Sequence, residues 1–360
     1  MPQKPYRKKR KFTLSSLLSK IPLKVWIIAF FSIVMMASIY WWRTPQEHTI
    51  TGKTMGTTYT IKLYMYRFAK TTQIQADVDK ALQEINDSMS TFKQDSEISN
   101  FNRYTDIEKP FPISKVLSDV INQALPIYKL SQGAFDPTIK PLVDLWGFSE
   151  HGHYQIPSDN EIVDTLKYVG FDKIIVSGNT LQKKDPDVQL DVSSLAMGYA
   201  VDKIGKYLFA NRYPRFMVEV GGAVLTSGTR VNGKPWRIGI NVPDPDAELT
   251  SAIRVYPVSY RALSTSGDYH NFFEKDGVRY CHIINPKTGT PIRNNVTSVT
   301  VFAPTAMLAD VLDTTLMVLG PEKGLKWIQQ FIGVEAMFIV KSEDRQIVYK
   351  SPGFPIGKVP

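Results

Sequence analysis

The sequence predicts an α+β fold: a single compact domain of mixed helices and largely antiparallel strands, preceded by one N-terminal transmembrane helix. Strand-like runs dominate residues 215–303 and are joined by the hairpin signals Asn232-Gly233 and Asp276-Gly277. Helical periodicity lies mostly outside this stretch, and strands grouped apart from helices are typical of α+β proteins rather than of a regular βαβ sheet. The domain contains no internal repeat and no long low-complexity stretch, so we expect one domain rather than two.

The individual elements are predicted from periodicity and from boundary residues. Ser158 and Glu161 form a capping box at the start of one helix, and Gly320-Pro321 ends another. The predicted helices are 75–89, 158–168, 195–209 and 305–319, and the predicted strands before residue 215 are 57–64, 173–177 and 188–192.

The net charge of +9 is confined almost entirely to the N-terminus. Residues 1–24 carry eight Lys and Arg side chains and no acid, so the rest of the chain is close to neutral. A nucleic-acid-binding domain needs a basic face of its own, which this distribution does not provide. The basicity therefore predicts a solvated tail, and we expect no nucleic-acid partner.

An apolar run follows the tail at residues 25–42, interrupted only by Ser32 and Ser38. It is long enough to cross a bilayer core, and amphipathic aromatic residues lie near both of its ends. The positive-inside rule places the N-terminus in the cytoplasm and the chain from Arg43 onward outside. The alternative is a cleaved signal peptide, but its apolar region would be shorter and no A-x-A-like cleavage site precedes Arg43.

These observations divide the chain into five predicted segments. They are a basic cytoplasmic tail (1–24), a transmembrane anchor (25–42), a linker (43–50), the folded domain (51–352) and a C-terminal tail (353–360). Cys281 is the only cysteine, so no disulfide forms within the chain and no cysteine after the apolar run can carry a lipid.

Three side chains converge on the predicted helix 305–319. Asp310, Asp313 and Thr314 stand at positions i, i+3 and i+4 of an otherwise apolar helix. Two buried carboxylates repel each other, and a hard divalent cation with oxygen ligands such as Mg²⁺ would neutralise both. The alternative is a polar stripe that faces solvent.

Two further segments are candidates for chemistry. Asp191 stands where a strand gives way to a helix, and free N–H groups at a helix start favour phosphate, although Ser193 or Ser194 is equally suited to ordinary N-capping. His282 precedes a tight turn at 285–289 and is a candidate proton acceptor, although a lone histidine is more often structural. Cys281 cannot pair with it directly, because neighbouring residues on a strand point to opposite faces.

Five stretches of the chain stand out in order: Thr54-Met55-Gly56-Thr57, Gly133-Ala134-Phe135-Asp136-Pro137, Asp191 through Tyr199, Glu219-Val220-Gly221-Gly222, and His282 through Gly289. Ser264 to Asp268 lies between the last two, and the helix bearing Asp310 and Asp313 closes the series. Taken together and in this order, these segments resemble the ApbE family, the FAD:protein FMN transferases, over roughly residues 51–345.

The resemblance implies a role for each matching residue. The base would be His282. Magnesium would be held by Ser194 (its carbonyl being one candidate ligand), Asp310, Asp313 and Thr314, and the flavin would touch Met55, Phe92, Ala134, Phe135, Asp136, Asp191, Met197 and Ile284. Two positions depart from the family pattern. Asn285 stands where many members have Asp, at a position that could alter how the turn is held. Met197 stands where many members have a charged residue, so a direct polar contact from this side chain to FAD is not expected.

The resemblance further implies Mg²⁺-dependent transfer of FMN from FAD to a Thr or Ser hydroxyl of a target protein, with release of AMP. It implies an anchored protein of the bacterial inner membrane, with its catalytic domain in the periplasm and membrane redox subunits, such as those of sodium-pumping respiratory complexes, as acceptors. If water replaces the acceptor, the enzyme is an FAD pyrophosphatase. A flavin-binding protein without catalysis is the remaining alternative, and the paired Asp310 and Asp313 argue against it because flavin binding alone needs no metal.

Overall fold

The computed structural model describes residues 22–149, 152–240, 254–269, 271–342 and 345–357. Most of the predicted basic tail, residues 1–21, and the last three residues lie outside the described part. The described chain divides into two compact units, one of residues 22–46 with 65–69 and the other of residues 47–64 with 70–357. Residues 47–64 and 70–357 thus form one compact unit.

Helices and strands alternate irregularly along the chain. The helices are α1 (Leu23–Arg43), α2 (Thr72–Met89), α3 (Glu97–Arg103), α4 (Lys115–Leu130), α5 (Lys140–Leu145), α6 (Asp159–Leu166), α7 (Ser193–Ala210) and α8 (Ala306–Ile328), with a 3₁₀ turn at Phe171–Lys173. The strands up to residue 240 are β1 (Pro45–Thr54), β2 (Thr57–Tyr66), β3 (Phe111–Pro112), β4 (Ile174–Ser177), β5 (Thr180–Lys183), β6 (Phe216–Val220), β7 (Ala223–Ser227) and β8 (Trp236–Ile240). Those that follow are β9 (Arg254–Val258), β10 (Arg261–Gly267), β11 (Phe272–Lys275), β12 (Val278–Cys281), β13 (Ile284–Asn285), β14 (Thr290–Pro291), β15 (Val296–Ala303), β16 (Glu335–Ser342) and β17 (Arg345–Lys350).

An eight-stranded sheet forms the framework of the domain, in the order β1-β2-β6-β7-β10-β15-β16-β17. Each pairing from β2 to β17 is antiparallel, which confirms the predicted strand arrangement. Strand β15 is buried along its whole length, and helices α7 and α8 pack together beside the sheet. Strand β15 therefore lacks a solvent face, as expected for a strand covered by other layers.

Most predicted elements are confirmed, with small shifts in their ends. The capping box of Ser158 and Glu161 is present at the start of α6. Asp276 and Gly277 both have positive φ in the β11–β12 hairpin. At Gly320 the backbone leaves the helical region (φ 74°), so α8 is interrupted where its end was predicted, and a further helical segment follows.

Three sequence predictions were wrong. Residues 188–192 form no strand, because their backbone groups form hydrogen bonds with partners other than a neighbouring strand. The backbone N–H and carbonyl of Leu190, for example, both bond to the side chain of Asn102. The predicted linker 43–50 is largely strand β1, which alternates exposed and inward-facing side chains. The predicted tail at 353–360 begins with packed residues, since Phe354 is buried against Tyr256 and Phe302.

Candidate active site

The carboxylates of Asp310 and Asp313 are almost completely buried on α8, with 4% and 1% of their surface exposed. Asp310 accepts hydrogen bonds from the Gly198 backbone N–H at 2.8 Å and from the Ser264 hydroxyl at 3.4 Å. Thr314 Oγ1 donates to Asp313 Oδ1 at 3.2 Å. The burial of both carboxylates excludes the alternative of a solvent-facing stripe.

Burial raises the pKa of both carboxyl groups, and the charge of Asp310 raises that of Asp313 further. Asp313 Oδ2 is buried without a hydrogen-bond partner among the described residues. Such an oxygen is costly unless something neutralises it. The two carboxylates and the neighbouring hydroxyls are hard oxygen donors, which is the chemistry that Mg²⁺ prefers. The residues present therefore fit a divalent cation.

Ser194 lies in the first turn of α7, one turn before Gly198. On a regular helix the Ser194 carbonyl would accept from the Gly198 N–H, and Asp310 competes for that donor. No group of three or more His, Cys, Asp or Glu side chains arranged to hold a metal occurs in the described part of the chain. The predicted ligand set of two carboxylates, a hydroxyl and a carbonyl oxygen is of a different kind, and it stays a prediction.

The β1–β2 hairpin, the start of α7 and the turn after β6 meet at one point. Met55 (φ 49°) and Gly56 (φ 72°) both occupy the left-handed region, as in tight hairpin turns. A Cβ on Gly221 would lie 2.3 Å from Met197 Sδ and 3.1 Å from Thr57 Cγ2. Three of the matching stretches are thus in contact, and only glycine leaves room for the Met197 side chain.

The turn at Gly133–Pro137 is joined to the start of α7 by a backbone hydrogen bond from Asp191 N to Pro137 O, at 2.7 Å. Asp191 Oδ1 in turn accepts from Ser193 N at 2.8 Å and so holds the first residue of the helix. Asp136 is buried and accepts from the Thr138 N–H and hydroxyl at 2.8 and 2.6 Å. Both acids therefore have a structural task, and their contact with flavin stays a prediction.

The predicted flavin contacts differ in exposure. Ala134, Phe135 and Ile284 are buried, whereas the Phe92 ring is 55% exposed. Phe92 stacks on no other aromatic ring in the described residues, so its face is available to a flat ligand. Because Phe135 and Ile284 are buried, they are better placed to line the base of a ligand pocket than to stack directly on a flat ring.

His282 follows β12, and its Nδ1 lies 3.0 Å from the Asn271 carbonyl oxygen. A carbonyl can only accept, so in the neutral imidazole Nδ1 carries the proton and Nε2 is the acceptor nitrogen. Burial raises the pKa of the neighbouring Cys281 thiol to about 11, which keeps it protonated. The ring is therefore in the tautomer that a general base requires, and burial disfavours the thiolate form of Cys281.

The turn after β13 is held by Asn285, whose Oδ1 accepts from Lys287 N at 3.0 Å. Its carbonyl also accepts from Gly289 N at 2.9 Å, and the Gly289 carbonyl accepts from Trp146 Nε1 at 2.8 Å. An Asp side chain would accept the same bond. The departure from the family pattern at Asn285 therefore leaves this turn intact.

Comparison with known proteins identifies the family of this chain. The model of the ApbE family matches residues 55–338. The chain belongs to the ApbE family. With such a match and the relatives described next, it is an enzyme of the transferase class.

Three ApbE relatives illustrate the extent of the similarity. The FAD:protein FMN transferase of Vibrio cholerae is 39% identical over 335 residues, which cover 92% of this chain and 98% of that protein. The protein of the same name from Escherichia coli is 36% identical over 84% of this chain and 87% of its own length. The solved apo structure of the flavinyl transferase ApbE of Pseudomonas stutzeri has a TM-score of 0.78 at 32% identity, covering 86% of this chain and 95% of that one.

One residue of this ApbE site escaped the sequence analysis. Asp202 on α7 accepts hydrogen bonds from Ala306 N (2.8 Å) and Met307 N (3.0 Å), so it caps the N-terminus of α8. It thereby fixes the helix that carries Asp310. The sequence does contain a clue to this role. Asp202 stands four residues after Gly198, so both lie on the same face of α7, and the small and apolar residues of that face indicate that it is buried.

Proposed function

We propose that this protein transfers FMN from FAD to a Thr or Ser hydroxyl of another protein and releases AMP. The names of its relatives support the choice of FAD as donor and a protein as acceptor. The observation that carries the proposal is the buried pair of Asp310 and Asp313. A purely structural role such as helix capping would not explain why one Asp313 oxygen is buried without a hydrogen-bond partner among the described residues.

We further propose that Mg²⁺ belongs to this site, with Ser194, Asp310, Asp313 and Thr314 as its ligands. When bound, the ion would offset the negative charge that develops on the pyrophosphate oxygens during transfer. The two carboxylates supply the charge that retains it, and the Thr314 hydroxyl adds a neutral oxygen.

The chain's own groups perform the remaining tasks. His282 Nε2 takes the proton of the acceptor hydroxyl as its oxygen forms a bond to the FMN-side phosphorus. The bond from that phosphorus to the bridging pyrophosphate oxygen breaks, and its electron pair leaves with AMP. The Asn271 carbonyl holds the Nδ1 proton of His282 throughout, which fixes the tautomer.

FAD would be placed by the residues around the hairpin turn and the start of α7. Met55 and Met197 offer flexible apolar surface, and the exposed Phe92 ring offers a stacking face. The buried wall would be Ala134, Phe135 and Ile284, with Asp136 and Asp191 holding the turns that frame it.

We propose a single-pass anchor in the bacterial inner membrane, with the catalytic domain in the periplasm. Helix α1 is long and apolar enough to cross a bilayer, and none of its residues is buried inside the protein. Acceptors would then be membrane redox subunits exposed on the same side, such as those of sodium-pumping respiratory complexes.

The test is incubation of the detergent-solubilised chain with FAD, MgCl₂ and a candidate redox subunit, followed by mass spectrometry of the subunit. We expect a mass increase of one FMN less one water on a Thr or Ser, together with one AMP per modified subunit. His282→Ala should bind FAD normally and transfer FMN about 10²–10⁴-fold more slowly. Formation of AMP and free FMN, with no candidate subunit modified, would instead show an FAD pyrophosphatase.

A further inference from the structure

The end of α1 is in contact with a short turn that lies more than 20 residues further along the chain. The turn consists of Tyr66, Arg67 and Phe68 and is closed by a hydrogen bond from Ala69 N to Tyr66 O, at 2.9 Å. The Phe68 ring centroid lies 5.2 Å from that of Trp42. We call this Tyr66–Phe68 segment the aromatic turn, and it belongs to the same compact unit as α1.

A second set of contacts joins the aromatic turn to the same end of α1. Phe68 also lies 6.0 Å from Trp41, centroid to centroid, and the Arg67 guanidinium stands 4.1 Å above the Trp41 ring. The position of the turn is thus fixed by three ring contacts rather than by one.

The rings of the aromatic turn nevertheless stay exposed. Tyr66 and Phe68 are 63% and 62% exposed, and Trp42 is 61% exposed. A contiguous patch of exposed aromatic rings is uncommon on a surface that faces only water. Tyrosine and tryptophan, which join an apolar body to a polar tip, are instead enriched where hydrocarbon meets lipid headgroups.

The length of α1 fixes the depth of the patch. Its 21 residues span about 30 Å at about 1.5 Å per residue, which equals the hydrocarbon thickness of a bilayer. When the helix spans the membrane, Trp41 and Trp42 at its C-terminal end lie at the interface. Phe68, in contact with both rings, lies at the same depth.

The charges around the patch suit the same environment. Arg43 ends α1, Arg67 lies within the aromatic turn and Lys70 follows it, with no acid between residues 62 and 76. Basic side chains next to an interfacial patch are attracted to lipid phosphates. The patch therefore combines apolar rings with the charge that a phospholipid headgroup layer favours.

We propose that the aromatic turn is a second membrane contact, inserted into the lipid headgroup layer beside Trp41 and Trp42. The inference rests on the proposed anchoring by α1. Its consequence is that the domain is tied to the bilayer at two points of the chain, at Arg43 and again between β2 and α2.

The test places a bimane fluorophore on single cysteines of the full chain, reconstituted into phosphatidylcholine–phosphatidylglycerol vesicles. Cys281 is buried, and the unmodified chain shows how much label it takes. The two test variants are Phe68→Cys and Tyr66→Cys, the second of which keeps the Phe68 ring. The matched control is Ile332→Cys, at an apolar residue that is 96% exposed, and Ile33→Cys reports on the helix itself.

We expect lipids with a shallow doxyl group to quench bimane at positions 66 and 68 at least threefold more than at position 332. Equal quenching at 66, 68 and 332, with Ile33→Cys strongly quenched by deep doxyl lipids, would overturn the proposal while leaving the anchor in place. Absence of quenching at position 33 would show that the anchor itself is wrong, and the second contact with it. Neither result depends on FMN transfer, so the proposed reaction is tested separately.

Discussion

Asp313 and Asp202 are both buried acids near the N-terminal half of α8, but their partners differ. Asp202 accepts two backbone N–H bonds, whereas one oxygen of Asp313 has no partner in the described structure. A carboxylate whose two oxygens both accept a hydrogen bond stabilises the fold, whereas a buried carboxylate oxygen that accepts none costs free energy and calls for another explanation. The contrast separates a structural acid from a ligand and can be measured directly.

Asp313→Asn should leave the free energy of unfolding unchanged or raise it by about 1 kcal/mol without divalent ions, because a repelling buried charge is removed. Its FMN transfer should need at least about tenfold more Mg²⁺. The matched variant Asp202→Asn should lose about 1–3 kcal/mol, because its amide nitrogen cannot accept one of the two N–H bonds, and should keep the wild-type magnesium dependence. Urea denaturation and magnesium titration of transfer give both quantities. Unaltered magnesium dependence of Asp313→Asn would remove this residue from the metal site.

Asp136 gives a prediction for the effect of pH on stability. Burial raises the pKa of its carboxyl from 3.8 to about 6, despite the bonds from Thr138. Between these values the folded state binds more protons than the unfolded state, so the free energy of unfolding falls as pH rises through this window. Asp136→Asn keeps an acceptor oxygen for Thr138 and cannot titrate.

The difference in free energy of unfolding, wild type minus Asp136→Asn, should therefore fall by about 2 kcal/mol between pH 4 and pH 7, because the folded carboxyl is only half titrated at pH 6. It should then stay level up to pH 8. Urea denaturation followed by tryptophan fluorescence at each pH provides the curve. A difference that stays constant, or that rises with pH, would mean that the folded carboxyl titrates at its ordinary pKa or below.

At the scale of elements, the approach of α7 and α8 depends on one glycine. A Cβ on Gly198 would lie 2.5 Å from Ala306 O and Met307 Cα, and both are backbone atoms that cannot turn aside. Gly205, on the same helix, is a matched control, because the atom 2.5 Å from its Cβ is Leu225 Cδ2, at the end of a side chain. The two sites share a helix and differ only in what stands opposite.

Gly198→Ala should lower the free energy of unfolding by about 1–3 kcal/mol and weaken magnesium-dependent transfer, because the helices must separate and Asp310 must move. Gly205→Ala should cost less, since Leu225 can change rotamer and alanine gains about 1 kcal/mol of helix propensity over glycine. Thermal unfolding and transfer assays of both variants make the comparison. If Gly205→Ala proved the more damaging, close backbone contact at Gly198 would not be what positions α8.

The elements that were predictable are those whose partners are local. The capping box at Ser158 and the break at Gly320 follow from neighbouring residues, and both are present. The false strand at 188–192 has the correct alternation, since Val188, Leu190 and Val192 are all buried. Its hydrogen-bond partner is the side chain of Asn102, about 90 residues away in the chain, which no periodicity reveals.

The candidate site shows the same division. The spacing of Asp310, Asp313 and Thr314 along one helix could be predicted from the sequence, because helix geometry alone brings them together. Ser264 and Gly198 reach Asp310 from a strand and from another helix, and this required the tertiary structure. The roles of Phe92, Met55 and His282 stay predictions, because they concern a ligand rather than the fold.

At the scale of the whole molecule, the large sheet gathers segments that are far apart in sequence. Strands β2, β6, β7 and β10 are consecutive neighbours in it. The Met55 turn precedes β2, Gly221 lies between β6 and β7, and Ser264 lies on β10. Neighbouring strands thus bring three of the matching stretches to adjacent positions, and α7 and α8 complete the site from the helical layer. Segments that are far apart in the sequence are thereby brought next to one another in the fold.

Topology is the prediction that concerns the whole chain. Seven basic residues precede α1, an eighth, Lys24, lies in its first turn, and the remainder of the chain is close to neutral. The positive-inside rule therefore predicts that the N-terminus is in the cytoplasm and the catalytic domain outside. Protease added to sealed spheroplasts should digest the domain and leave a short membrane-protected fragment that contains α1. A cytoplasmic marker protein must stay intact in the same sample. Replacing the basic residues at positions 4–11 with Gln should reduce the digested fraction, because the charge difference across the helix sets its orientation. A domain that resists protease until the spheroplasts are lysed would place it in the cytoplasm, where the proposed periplasmic acceptors could not reach it.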